Sequence, residues 1–315
     1  MLLGCYTPEN GRGAGVSVIR TTGEVDPLVA AVSPSFLAWH PCLPVLYAVA
    51  ETADGAVVAW SMADGDPQDF GRGETGGADP CHLTVDASGE FLVNVNYNGG
   101  SIAVHRLDAD GRIGERTDLV RHERHGTLAR QDGAHPHMVR ATADGLIVTD
   151  LGGDAIYLYH LEHGRLICDR LIAAPAGSGP RHSLRVGSRW FVTAELSSNI
   201  LIYDDDWTLL GEVAANRAAG ECYVSELVAA GGFLYVANRG PNTISVFDLA
   251  GDLPVYVTEV ATGGWPRHMA LDGDLIHVAN ERSDEVTTMR IDPASGIPVQ
   301  VGSIATPSPT CVLLR

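Results

Sequence analysis

Arg181, His182 and Glu195 are the residues whose types and spacing first suggest chemistry. They stand in the stretch GSGPRHSLRVGSRWFVTAELSSN, which runs from Gly177 to Asn199. Arginine offers a planar fork of donors suited to a carboxylate or a phosphate. Histidine and glutamate exchange protons near neutral pH. Two apolar runs flanking a Gly-Ser turn read as an antiparallel hairpin, so the start of the first strand and the end of the second fall at one edge. The pattern predicts that the three side chains gather there, equipped for anion binding and acid–base work.

The elements that would position them recur along the whole chain. Segments beginning at Pro34, Pro80, His135, Pro180, Val224 and Pro266 share one grammar: an apolar strand, a turn, an apolar strand ending on a polar residue, a second turn, and an alternating strand. The second strands end on Glu51, Tyr97, Asp150, Glu195, Arg239 and Glu281, in steps of 46, 53, 45, 44 and 42 residues. The N-terminal LLGCYTPENGRGAGVSVI fits the later part of the same unit and puts Tyr6 in the same slot. The tail PSPTCVLL reads as its missing first strand. Seven such units predict an all-β, seven-bladed β-propeller, a single domain over residues 1–315, closed where the C-terminal strand joins the N-terminal ones. The GH…WD signature of the commonest propellers is absent.

The first-strand openings align as a second ring of Phe36, His82, His137, His182, Glu226 and His268, with Arg181 and Arg267 one position earlier and Thr310 in the closing blade. Innermost strands line a propeller's channel. One face should therefore carry His82, His137, His182, His268, Arg181, Arg267 and Arg239, interleaved with Glu51, Asp150, Glu195, Glu226 and Glu281. An insertion, roughly Arg112 to Gly133 and containing RHERHGTLARQDG, should lie over that face as a basic lid. His135 and His137 alternate along a strand and should not share a metal ion. A four-histidine ring has the form of a metal site, but neighbouring arginines oppose a dication, and no metal or cofactor is expected.

Composition narrows the partners. The net charge of −18 excludes a nucleic-acid backbone as ligand, yet a local basic pocket can still attract a small anion. No apolar run of about 18 residues is present, which predicts no membrane span. The N-terminus has no basic n-region and long apolar h-region, and the six cysteines form no CxxC pair. A cytoplasmic protein, monomeric or weakly dimeric, is expected. No serine stands in GxSxG, and no GxGxxG links a strand to a helix.

The phrases PSFLAWHP…LYAVAE, NYNGGSIAV, ARQDGAHPHMV, TDLGGD, GSGPRHSLR…AEL, SELVAAGGFLYVANRGPNTISVF and GGWPRHMALDGDLIHVANE span nearly the whole sequence. In them the chain resembles the lactonase-type seven-bladed β-propeller family, which includes the propeller form of 6-phosphogluconolactonase and the fungal 3-carboxy-cis,cis-muconate lactonizing enzyme. The resemblance implies acid–base and anion-binding roles for His137 (with His135 the second choice), Arg181, Glu195 and Arg239. Around them His182, Arg267, His268, His82, Tyr97 and Glu226, with Arg130 from the insertion, are the candidates for substrate contact. The implied reaction is metal-independent hydrolysis of an anionic sugar lactone such as 6-phosphogluconolactone, a step of carbohydrate metabolism in the pentose phosphate pathway. Either His137 or Glu195 would be the base and the other the proton donor. The alternatives are a carboxymuconate-type lactonizing cycloisomerase and a non-enzymatic binding scaffold. Ala194 replaces the asparagine that commonly precedes the glutamate, which is expected to remove a neighbouring hydrogen bond.

Overall fold

Val45–Ala50 is apolar and buried at every position, so this strand needs cover on both faces. Outer strands such as Arg165–Ala173 are exposed at most positions and need cover on neither. A radial arrangement meets both demands. The computed structural model describes residues 1–20 and 22–315, and in it seven four-stranded antiparallel sheets surround a central channel. The blades follow chain order. The first combines Leu2–Cys5, Gly15–Ile19 and Val25–Ala30 with Pro309–Leu313. The other inner strands are Leu37–Trp39, Pro80–Val85, Pro136–Thr142, Pro180–Val186, Tyr223–Ala230 and Pro266–Asp272.

The core lies between blades. Val93 and Val95 of the third blade pack with Val139 and Val148 of the fourth. The ring closes as the repeat requires: Leu2, Leu3 and Gly4 pair with Leu313, Val312 and Cys311. Leu3 and Val312 then pack on Ala279 and Val286 of the seventh blade. In the third to seventh blades the turn after the second strand places one residue in the left-handed region, with φ of 57° at Gly100, 45° at Asp154, 56° at Ser198, 60° at Asn242 and 55° at Asp284. Glycine, and to a lesser degree Asn and Asp, adopt that conformation cheaply, which explains the punctuation of the sequence.

Inner strands begin with a bulge. Pro80 opposes Asn96 while His82 opposes Val95, so Cys81 is extra. Pro136 opposes Asp150 and Met138 opposes Thr149, so His137 is extra. Pro266 opposes Asn280 and His268 opposes Ala279, so Arg267 is extra. In the fifth blade Pro180 opposes Ala194 and Ser183 opposes Val192, with Arg181 and His182 between. A bulge bends the strand and re-aims its side chains, here at the channel mouth.

This register corrects the sequence alignment in the fourth blade by one residue. Asp150 stands level with Asn96, Ala194 and Asn280, so the residue in the slot of Tyr97, Glu195 and Glu281 is Leu151. Likewise His137 is level with Arg181 and Arg267, and Met138 occupies the position of His82, His182 and His268. The insertion is also shorter than the sequence suggested. Ile113–Arg121 is the outer strand of the third blade, leaving 122–135 as the excursion.

Candidate active site

The channel mouth is built in layers from the strand registers. Arg239 ends its second strand, Tyr6, Glu51, Tyr97, Glu195 and Glu281 directly follow theirs, and together they form the rim. The bulged residues form the next layer. Ser35, Cys81, His137, Arg181, Arg267 and Thr310 line one small cavity, with Phe36, His182 and His268 as its floor and Glu51 as a wall. Neighbouring blades hold this layer in place. The Cys81 thiol lies 3.4 Å from the His137 carbonyl oxygen, Thr149 Oγ1 donates to the Arg181 carbonyl, and Thr310 Oγ1 donates to the Ser35 carbonyl at 2.9 Å.

Glu195 sits at the centre of a guanidinium cluster. Arg181 Nε is 3.0 Å and Arg239 Nη2 2.5 Å from its Oε2, and Arg130 Nη1 donates to Oε1 at 2.6 Å. Burial pushes the carboxyl up, but Arg239, Arg181 and Arg130 outweigh it and hold it at about 2. Arg181 is buried and faces Arg239, which together pull its guanidinium down to about 9. Three cations face one carboxylate, leaving an excess of positive charge within a strongly acidic protein.

A second cluster occupies the other side. Arg267 Nη1 reaches Glu281 Oε2 at 3.3 Å and its Nη2 donates to the Tyr6 hydroxyl. Tyr6 donates to Glu51 Oε1 at 2.7 Å, and Ser35 donates to Oε2. Burial raises the Glu51 carboxyl despite Arg267 and these two hydroxyls. Arg267 therefore lines the cavity but is largely spoken for.

His137 comes from the fourth blade and lies between the clusters. Burial and then the charge of Arg181 lower it well below the usual imidazole value. Its Nδ1 has no hydrogen-bond partner. Its ring is 5.3 Å from that of His182 and 5.6 Å from that of Tyr97. His135 does not join it. That ring stacks on Tyr97 at 4.5 Å, bonds the Tyr97 carbonyl at 3.0 Å and approaches Asp132, away from the cavity.

The excursion 122–135 crosses the mouth and is fastened at several points. Asp150 accepts from His122 at 2.7 Å and from the backbone N–H groups of His135 and Gly153. Gln131 Nε2 donates to the Leu151 carbonyl at 3.0 Å. Gly152 permits the contact, because a Cβ there would stand 2.0 Å from the Gly133 carbonyl oxygen. From this anchored loop Arg130 reaches Glu195 and the Tyr97 hydroxyl, the latter at 3.1 Å. Asp150, expected on the channel face, instead anchors the loop.

Two expected substrate contacts lie elsewhere. His82 and Glu226 face the cavity at the opposite end of the channel. His82 stacks on Phe36 at 3.8 Å, and Glu226 accepts from His182 at 2.9 Å and faces His268 Nε2 at 3.4 Å. His182 and His268 form the floor between the two cavities. The expected loss beside Glu195 at Ala194 is also corrected. Asn96, Asn238 and Asn280, at the equivalent position, turn into their blades and donate to Ser101, Ser245 and Thr287, so an asparagine there serves the third strand.

A family model described as lactonase, 7-bladed beta-propeller, matches residues 1–314. The chain belongs to that family. Its curated relatives include a 6-phosphogluconolactonase of Bacillus subtilis, 27% identical over 98% of this chain and 96% of that protein. Another is a 6-phosphogluconolactonase of Formosa agariphila, 28% identical over 94% and 93%. Among solved structures, a protein from Lactobacillus plantarum superposes with a TM-score of 0.90 at 30% identity, covering 98% of this chain and 97% of that one. The periplasmic gluconolactonase of Pseudomonas aeruginosa superposes with a TM-score of 0.88 at 27% identity, covering 98% and 97%. Within this lactonase-family propeller, the motif positions His137, Arg181, Glu195 and Arg239 come together from three consecutive blades. Glu51, Ser35 and Cys81 line the cavity too. Glu51 was visible in the second-strand register, whereas Ser35 and Cys81 carried no distinguishing sequence signal.

Proposed function

We propose that this protein is a lactonase that hydrolyses the ring ester of an anionic sugar lactone of the 6-phosphogluconolactone type. The observation that carries the reading is a neutral, unpartnered His137 beside a cluster in which three arginines face one glutamate. Hydrolysis needs a base for water, positive charge where the tetrahedral oxyanion develops, and a proton for the leaving alkoxide. His137 takes the proton from water. Arg181, beside it in the cavity, stabilises the oxyanion. Arg239 and Arg130 hold the anionic group of the substrate. Glu51, whose carboxyl is raised by burial, and the protonated His137 are the sources of the returning proton. Glu195 is a positioning residue, since a carboxyl held at about 2 is a poor base and a poorer acid at neutral pH. Each step uses side chains of this chain and calls for no metal. The names of the Bacillus subtilis and Formosa agariphila relatives support the phosphorylated substrate. On this reading the protein serves the pentose phosphate pathway in the cytoplasm as a monomer or weak dimer.

The test is purified protein assayed by pH-stat on 6-phosphogluconolactone, on unphosphorylated gluconolactone and on a 3-carboxymuconate. The phosphorylated lactone should give the highest kcat/KM, and His137→Gln should lower kcat by about 100-fold or more with an unchanged melting curve. Turnover of the muconate alone would replace hydrolysis with cycloisomerisation. Full activity in His137→Gln would remove the assigned base.

A further inference from the structure

The far end of the channel holds charged and polar groups that the lactone chemistry does not use. Below the histidine layer, alternation along the inner strands brings Ala38, Thr84, Arg140, Leu184, Val228 and Leu313 to a cavity of about 410 Å³, a size typical of small-molecule sites. Five of the six are small, hydroxylic or apolar, and Arg140 alone is charged.

Arg140 makes no hydrogen bond or ion pair among the described residues, and its Nε is inaccessible and without a partner. The carboxylate whose charge reaches it is Glu226, but that group is committed. Glu226 Oε2 faces His182 and His268, and its Oε1 accepts from the Leu227 N–H at 3.0 Å. The His82 ring lines the same cavity, with its Nδ1 inaccessible from it and without a partner. Burial lowers the His82 ring well below its usual value, so it is neutral and carries one N–H. A half-buried guanidinium with no counter-ion of its own is unfavourable. An anion in the cavity supplies the missing partner.

We propose that this cavity binds a small carboxylate with an apolar body, such as an aliphatic or aromatic monoacid. Its carboxylate pairs with the Arg140 guanidinium. Its body packs on Leu184, Val228 and Leu313. The apolar wall sets this site apart from the rim around Glu195, which is made for a polar, multiply hydroxylated ligand. The floor of Phe36, His182 and His268 separates the two.

The test uses benzoate and 4-bromobenzoate with the full-length protein. Benzoate should bind the wild type by calorimetry, and Arg140→Met should weaken it by about thirtyfold or more. Arg239→Gln, which alters the other mouth, should leave benzoate affinity unchanged. In wild-type crystals the anomalous bromine signal of 4-bromobenzoate should fall beside Leu184 and Val228. Bromine found at the Arg181–Arg239 rim alone, or nowhere, overturns the proposal without depending on any variant's folding. Equal affinity in Arg140→Met overturns it as well. Chloride binding as tightly as benzoate by the same calorimetry overturns the requirement for an apolar body.

Discussion

A carboxylate gripped by three guanidiniums takes up no proton from water at neutral pH, and Glu195 is such a group. Its value as a residue is electrostatic: it lets Arg181 and Arg239 approach each other in a buried site. Its carboxyl stands at about 2, below the ordinary 4.5, so it contributes stability above pH 4.5 that is lost as pH falls towards 2. Glu195→Gln should therefore lower stability by about 3 kcal/mol at neutral pH. The gap to the wild type should narrow between pH 4.5 and 2, as followed by thermal melts. A gap that does not change with pH would show that the ion cluster is not what the glutamate supports. His137 too has a lowered value, here by burial first and then by Arg181. Its depressed value keeps it neutral at pH 6.5, so kcat/KM should still be at its plateau there and fall only well below. An acid limb at or above pH 6.5 would assign the base elsewhere.

At the scale of elements, the site depends on two irregularities in an otherwise regular repeat. One is the bulge that opens the inner strands and aims His137, Arg181 and Arg267 at a common cavity. The other is the excursion 122–135, from which Arg130 reaches Glu195 on the rim; the cavity behind the rim has about 10 Å³, roughly the room of one water molecule. The Arg130 side chain is 45% exposed, so its ion pair is worth little to stability. Arg130→Ala should raise KM roughly tenfold while stability changes by less than about 1 kcal/mol. Steady-state kinetics and melts on the same preparation decide this, and an unchanged KM would show that Arg130 holds no substrate group.

For the whole molecule, closure of the ring is what makes the channel a fixed cavity. Pro309–Leu313 pairs with Leu2–Cys5, and Thr310 lies in the cavity wall itself. Removing residues 309–315 should expose the Leu3 edge and the inward faces of Ala279 and Val286. The expected outcome is loss of the cooperative melt and association on size-exclusion chromatography. A truncated chain that stays monomeric and melts sharply would mean that the other six blades close without the last strand.

The repeat was legible because a strand buried on both faces must be apolar, and a turn that reverses the chain needs particular residues. Those two local demands recur at nearly constant spacing, and they specified the seven blades, the closing strand and every rim position but that of the fourth blade. They also brought His137, Arg181, Glu195 and Arg239 to one face. The spacing did not resolve a shift of one residue. His135 and His137 flank a proline much as Arg181 and His182 follow one, and only the hydrogen-bond register showed His137 level with the arginines and Asp150 one short of the slot. Nor did the pattern divide the histidines between two cavities, because that depends on depth along a channel where neighbouring strands are staggered. The protonation preferences of Glu195 and Glu51 were likewise decided by tertiary structure. Glu195 is buried and Glu51 half-buried at the same strand position, and what separates them is the number of guanidiniums beside them: Arg181, Arg239 and Arg130 at Glu195 against Arg267 at Glu51.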